Sequence, residues 1–187
     1  MTPTKFQVKL YASSTDIALE KLIPVFHAWI REKKVPDELL IDVADYAHVP
    51  QGPGVVLIGH QSDYYLDVAD SRPGLLYSRK RGFEGSFQEG LEDAFRRALR
   101  ACDMLEAESE LGLSFGTGEV LFRVQDRLAA PNADATYDAY RGPLAEVTNA
   151  FFGGSASLER VGAPADPFSV RIETGASGSV ADALARH

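Results

Sequence analysis

Six residues between positions 42 and 79 have the side chains that chemistry would use: His60, Asp63, Asp67, Asp42, Tyr65 and Arg79. His60 beside Asp63 or Asp67 has the makings of a general base held in one tautomer. His60 with two of the carboxylates offers nitrogen and oxygen donors to a divalent cation. Tyr64, Tyr65 and Tyr77 add hydroxyl groups. Arg79 opens the triplet Arg79-Lys80-Arg81, whose charge suits an anionic partner.

These residues sit around a repeated phrase. Asp-Val-Ala-Asp occurs at Asp42–Asp45 and again at Asp67–Asp70, each time after an aliphatic residue and shortly before a Pro-Gly and a second apolar run. Each copy reads as a β-hairpin, with strands over 38–45, 55–60, 63–69 and 75–80. In a four-stranded meander the strands of Asp42 and Asp67 flank the one that ends at His60. Their side chains then stand about 10 Å apart, with room for a ligand, a water or a metal between them.

The plainer reading competes directly. Asp45 and Asp70 precede Pro-Gly, where aspartate routinely starts a turn. Asp42 and Asp67 would then be solvated, or paired with Arg72, Arg79 or Arg81. The sequence has no HxH, HExxH, paired CxxC or EF-hand spacing, and no Gly-x-Ser-x-Gly elbow. No cofactor and no metal are assigned. The expected function is therefore a small cytoplasmic binding or interaction module, taking a protein partner or a small ligand. The alternative is a metal-assisted or acid–base enzyme working on a small polar substrate at the His60, Asp63 and Asp67 rim.

Composition narrows the field. The 187 residues are 45% hydrophobic and 25% charged, ordinary for a folded chain. A formal net charge of −8 repels nucleic acid unless basic residues gather on one face, so no nucleic-acid partner is expected. Cys102 is the only cysteine, which rules out an intrachain disulfide; its place in a helical apolar pattern marks it as a buried small hydrophobe. The first residues lack an apolar secretory core, and no run is long enough to span a bilayer, so no membrane partner is expected. A homodimer is the expected assembly, since symmetric dimers are common.

The elements that must position the site follow from periodicity. Phe6-Gln-Val-Lys-Leu-Tyr11 alternates at period two, as a half-buried strand does. Leu19, Leu22, Ile23, Phe26, Trp29 and Ile30 form a helical stripe, with Pro24 placed to kink it and His27 at its edge. Ser86 is the natural N-cap for a helix through Phe87, Leu91, Phe95, Ala98, Leu99, Cys102 and Leu105. The segment Phe115-Gly-Thr-Gly118 resembles half a phosphate loop but leads into a strand at 119–125, so a plain glycine turn is expected. A third helix carries Tyr137, Tyr140, Leu144, Val147 and Phe151, interrupted at Gly142-Pro143; two strands follow near 155–161 and 168–173.

The fold class is α+β, one domain over residues 1–174 in the order β-α-β-β-β-β-α-β-α-β-β. Its sheet is read as mixed but mainly antiparallel, or as two related α/β halves, since a strand followed by a helix opens both the N-terminal part and the part from Glu119. Residues 175–187, rich in Gly, Ser and Ala, are expected to be a mobile tail with at most a nascent helix.

Overall fold

Strands that alternate, such as Phe6–Ala12, and strands that are apolar almost throughout build a single eight-stranded sheet with helices on one face. In the computed structural model, which describes residues 3–187, the strands are β1 (Phe6–Ala12), β2 (Leu40–Tyr46), β3 (Gly54–Gly59), β4 (Ser62–Asp67), β5 (Gly74–Arg79), β6 (Phe115–Val124), β7 (Ser157–Val161) and β8 (Phe168–Glu173). Their order across the sheet is β2-β3-β4-β5-β1-β6-β8-β7, and every neighbouring pair is antiparallel. The sheet is thus antiparallel throughout rather than mixed, because each connection is a hairpin or brings the chain back in the opposite direction.

Register fixes the faces. Phe6, Val8 and Leu10 of β1 align with Val124, Phe122 and Val120 of β6. Val8 and Leu10 also align with Tyr77 and Leu75 of β5, and all of these residues are buried. Four helices cover this side: α1 (Leu22–Glu32), α2 (Phe87–Glu106), α3 (Asp134–Phe152) and α4 (Val180–Ala185). Leu91, Phe95, Leu99 and Cys102 of α2 join Phe26 and Trp29 of α1 and Phe151 of α3 in one continuous core. Among the described residues the opposite face carries no helix.

Local chemistry explains the boundaries. Ser86 caps α2, its hydroxyl accepting from Glu89 N while the Glu89 carboxylate accepts from Ser86 N. Pro24 does not kink a helix; it occupies the third position of α1, where its missing N–H has no intrahelical acceptor to lose. Pro143 lies within α3, which runs on through Gly142-Pro143 instead of breaking there. Tyr140, Leu144, Val147 and Phe151 hold its inner face to the core on both sides of the proline.

Two further segments differ from the sequence reading. Phe115-Gly-Thr-Gly118 belongs to β6 itself, with Phe115 paired to Ala12 beyond a bulge. The C-terminal tail, expected to be mobile, forms α4 under a second capping box, Ser179 with Asp182. Val180 and Ala183 are buried, and Arg186 Nη1 donates to Phe152 O at 2.9 Å.

The repeated Pro-Gly has a steric cause. A β-carbon on Gly54 would collide with the Leu66 carbonyl of β4, and one on Gly74 with the Leu10 carbonyl of β1. Gly54 also adopts φ 67°, a conformation that favours glycine. Each Pro-Gly therefore starts a strand that must lie close against its neighbour. No helix among the described residues is long and apolar enough to cross a membrane.

Candidate functional site

The meander β2-β3-β4-β5 forms as the sequence suggests, and it places Asp42, Asp63, Tyr65 and Asp67 on the helix-free face. Asp42 aligns with Ile58, Ile58 with Asp63, and Asp63 with Ser78. The same row continues through Gln7, Arg123 and Ser169. Gln7 Nε2 donates to Ser78 Oγ at 3.1 Å, and Arg123 donates to Ser169 Oγ at 3.2 Å and to Gln7 Oε1 at 3.4 Å. The face therefore carries an in-register polar ladder with carboxylates at one end and arginine towards the other.

Asp63 is the best-held of the acids. It lies 2.7 Å from Lys80 Nζ and accepts hydrogen bonds from Gly59 N at 3.2 Å and from the Tyr65 hydroxyl at 3.4 Å. Burial, with the Asp63 charge adding to it, pushes the Tyr65 phenol up to about 12. Tyr65 is thus a donor at neutral pH, not a base.

Asp67 serves a different cluster. Its Oδ2 meets Lys9 Nζ at 2.6 Å, and its Oδ1 accepts from Ala69 N at 3.3 Å. Asp67 aligns with Gly74, four residues along β4 from Asp63, so the two carboxylates are about 13 Å apart along the strand. Beside them Arg72 stacks over Tyr11 at 3.7 Å and grips Glu119 with two hydrogen bonds of 2.9 and 2.8 Å. Lys9, Tyr11, Asp67, Arg72, Arg123 and Arg171 line a depression of about 540 Å³ on this face.

The other proposed members separate. His60 is exposed in the β3–β4 turn and contributes through its backbone, whose carbonyl accepts from Arg81 Nε at 3.0 Å. Arg79 shares parity with Leu75 and Tyr77, so it points to the helix side, where Nη1 meets Asp93 Oδ2 at 2.8 Å. Alternation likewise divides the basic triplet: Arg79 goes inward and Lys80 outward to Asp63. Among the described residues no group of three or more His, Cys, Asp or Glu is arranged to hold a metal ion. His27 is exposed and Cys102 is buried, with burial raising its thiol well above the ordinary value.

The two Asp-Val-Ala-Asp copies are not structural equivalents. The first lies wholly inside β2, whereas β4 ends at Asp67 and the second copy turns away, Asp70 adopting φ 59°. Asp45 accepts from Ala47 N at 2.9 Å, the local turn bond expected of aspartate.

Reading residues by type missed a larger signal. Between Lys34 and Arg72 there is no Lys or Arg, but there are seven acids: Asp37, Glu38, Asp42, Asp45, Asp63, Asp67 and Asp70. This segment carries a formal charge of −7, nearly the −8 of the whole chain. Only Asp63 and Asp67 have a cationic partner within 4.0 Å; the others have none among the described residues. The segment also includes β2, one of the two edge strands. Leu39, Ile41, Tyr46 and Val49 are four of the five large apolar side chains exposed among the described residues. A bulge between Leu40 and Asp42 shifts the register at Ile41, 55% exposed, and Asp42 Oδ1 accepts from the edge-strand N–H of Val43 at 2.8 Å. Compared with family models, curated proteins and solved structures, the chain matches none.

Proposed function

We propose that this protein is a non-catalytic interaction module that docks a basic partner protein along the edge formed by β2 and its flanking residues. The observation that carries the reading is the coincidence of unpaired acid and exposed apolar surface on one edge strand. Asp37, Glu38, Asp42 and Asp45 supply negative charge with no countercharge within 4.0 Å among the described residues; Leu39, Ile41, Tyr46 and Val49 supply area that water solvates poorly. Clustered charge steers a partner of opposite sign and speeds encounter, and the apolar side chains provide contact once it arrives. An edge strand also offers backbone hydrogen bonds to an added strand. The Asp42 carboxylate occupies the Val43 N–H in the absence of a partner, so an incoming chain would displace it, a device that discourages indiscriminate pairing.

Two short peptides with alternating residues, one Lys/Val and one Glu/Val, test the proposal by fluorescence anisotropy. The basic peptide should bind, more weakly as salt rises, and the acidic one should not. Asp42→Asn with Asp45→Asn, and separately Ile41→Ser, should each weaken binding. Equal binding of both peptides, failure of the basic one to bind, or affinity unchanged in both variants would overturn the proposal.

A further inference from the structure

On the other side of the sheet, beneath α2, five polar side chains are packed into the layer that should be apolar. Tyr64, Tyr77 and Arg79 rise from β4 and β5; Asp93 and Arg97 come down from α2. Asp93 is shared: Arg79 Nη1 reaches Oδ2 at 2.8 Å, and Arg97 Nε reaches both carboxylate oxygens at 3.0 Å. No second carboxylate among the described residues lies within 4.0 Å of either guanidinium. Glu38 is engaged elsewhere, accepting from Ser62 Oγ and from Gln61 N. Two arginines thus face one aspartate, and the cluster keeps an unneutralised positive charge.

Its hydrogen bonding is incomplete as well. Among the described residues the hydroxyl of Tyr64, 1% exposed, has no hydrogen-bond partner, and Arg79 Nε has none either. A buried donor left unpaired costs free energy unless something else satisfies it. Burial pushes the Tyr64 phenol far up, so it stays a neutral donor. Arg97 commits Nε to Asp93, and apart from the neighbouring Tyr64 phenol its terminal nitrogens meet no other acceptor among the described residues.

A cavity of about 540 Å³ opens at this point, with Tyr64, Arg97, Arg100, Lys34, Val35 and Met104 on its wall. Among the described residues Arg100 has no carboxylate within 4.0 Å, and Arg96 contacts His187 Nδ1 at 3.1 Å. Asp37, Asp93 and Asp103 also line the cavity; Lys34 is paired with Glu108 at 3.2 Å and Glu32 at 3.6 Å, so the cations left to a ligand are Arg96, Arg97 and Arg100. In a chain of net charge −8 the positive surplus at this point comes from Arg79 and Arg97 sharing Asp93.

We infer that the cavity is a binding site for a small oxyanion, a phosphoryl or carboxylate group received by Arg97 and Arg100 with the Tyr64 hydroxyl as a neutral donor. An oxyanion there supplies what Arg97 and Tyr64 lack: negative charge beside a guanidinium that shares its carboxylate with Arg79, and acceptors for the Arg97 terminal N–H groups and the phenol. The cavity borders the β2 flank at Asp37, but Arg97, Arg100 and Tyr64 lie outside that edge, so the inference does not depend on its role.

Isothermal titration of the full chain with inorganic phosphate and with acetate tests this. Arg100→Gln removes an exposed cation and Tyr64→Phe only an unpartnered hydroxyl, so both should fold. Each should weaken binding, by about tenfold for loss of a hydrogen bond to a charged group. Arg171→Gln, on the opposite face, should leave it unchanged. Phosphate binding without acetate binding assigns a phosphoryl ligand; acetate binding assigns a carboxylate. Unchanged affinity in both Arg100→Gln and Tyr64→Phe, or no saturable binding of either anion up to about 10 mM, would overturn the inference.

Discussion

Lys9 Nζ lies 2.6 Å from Asp67 Oδ2 in the middle of the sheet face that has no helix over it, their side chains only 6% and 12% exposed. Such burial on an open face comes from the neighbouring side chains of β1, β4 and β5, and it takes both charges largely out of water. Their worth then depends on each having the other.

Removing one partner should be costly for that reason. Asp67→Ala leaves the Lys9 ammonium buried without a counterion and should lower unfolding free energy by about 3–5 kcal/mol. The double change Lys9→Met, Asp67→Leu should recover most of the loss. Urea titrations of the three proteins read both effects; a double variant as unstable as Asp67→Ala would show that the pair does more than neutralise itself.

Asp93 is placed more severely, since it neutralises two guanidiniums at once. Asp93→Asn keeps the shape and removes the charge, leaving Arg79 and Arg97 facing each other. We expect a loss of at least about 3 kcal/mol. Adding phosphate should restore part of it if the neighbouring cavity takes an oxyanion, because a ligand that binds only the folded state stabilises it. Thermal unfolding with and without phosphate measures both quantities.

Acid should loosen the junction between the β4–β5 hairpin and β6. The hydrogen bonds from Arg72 hold the Glu119 carboxyl below its ordinary value, against a smaller opposing effect of burial. Its folded pKa is depressed, so its contribution is present above the unfolded value near 4.5 and lost as pH falls through the folded one. The urea midpoint of the native protein should drop between about pH 5 and pH 3, and Arg72→Gln should make that drop shallower. Equal slopes would mean that the pair contributes nothing to folding.

Much of this architecture is legible in the chain, and the failures are instructive. Alternation reveals β1, and apolar runs set off by Pro-Gly and other turn residues reveal the meander, to within two residues. Pro24 and Pro143 mislead in opposite ways: one starts a helix, and the other is carried inside a helix held by packing. The parity of Leu75, Tyr77 and Arg79 already implied that Arg79 leaves the open face. Ser179 and Asp182 form a capping box visible in the sequence, although a six-residue helix has too little periodicity to announce itself. The charge on the β2 edge was hidden because it is an absence: thirty-seven consecutive positions without Lys or Arg. The cluster under α2 could not be read at all, since it joins residues from β4, β5 and α2 that only the packed layers bring together.

The position of β1 has a kinetic consequence. It pairs on one side with β5 and on the other with β6, contacts such as Gln7–Ser78 and Gln7–Arg123 spanning 71 and 116 residues. The strand that joins the two halves of the sheet must wait for both long loops to close, whereas the meander needs only short reversals. Non-local pairing of this kind slows folding, so the meander should acquire protected amides first and β1 with β6 last. The late-closing seam, not the acidic edge, is where a nascent or partly unfolded molecule is most exposed to mispairing.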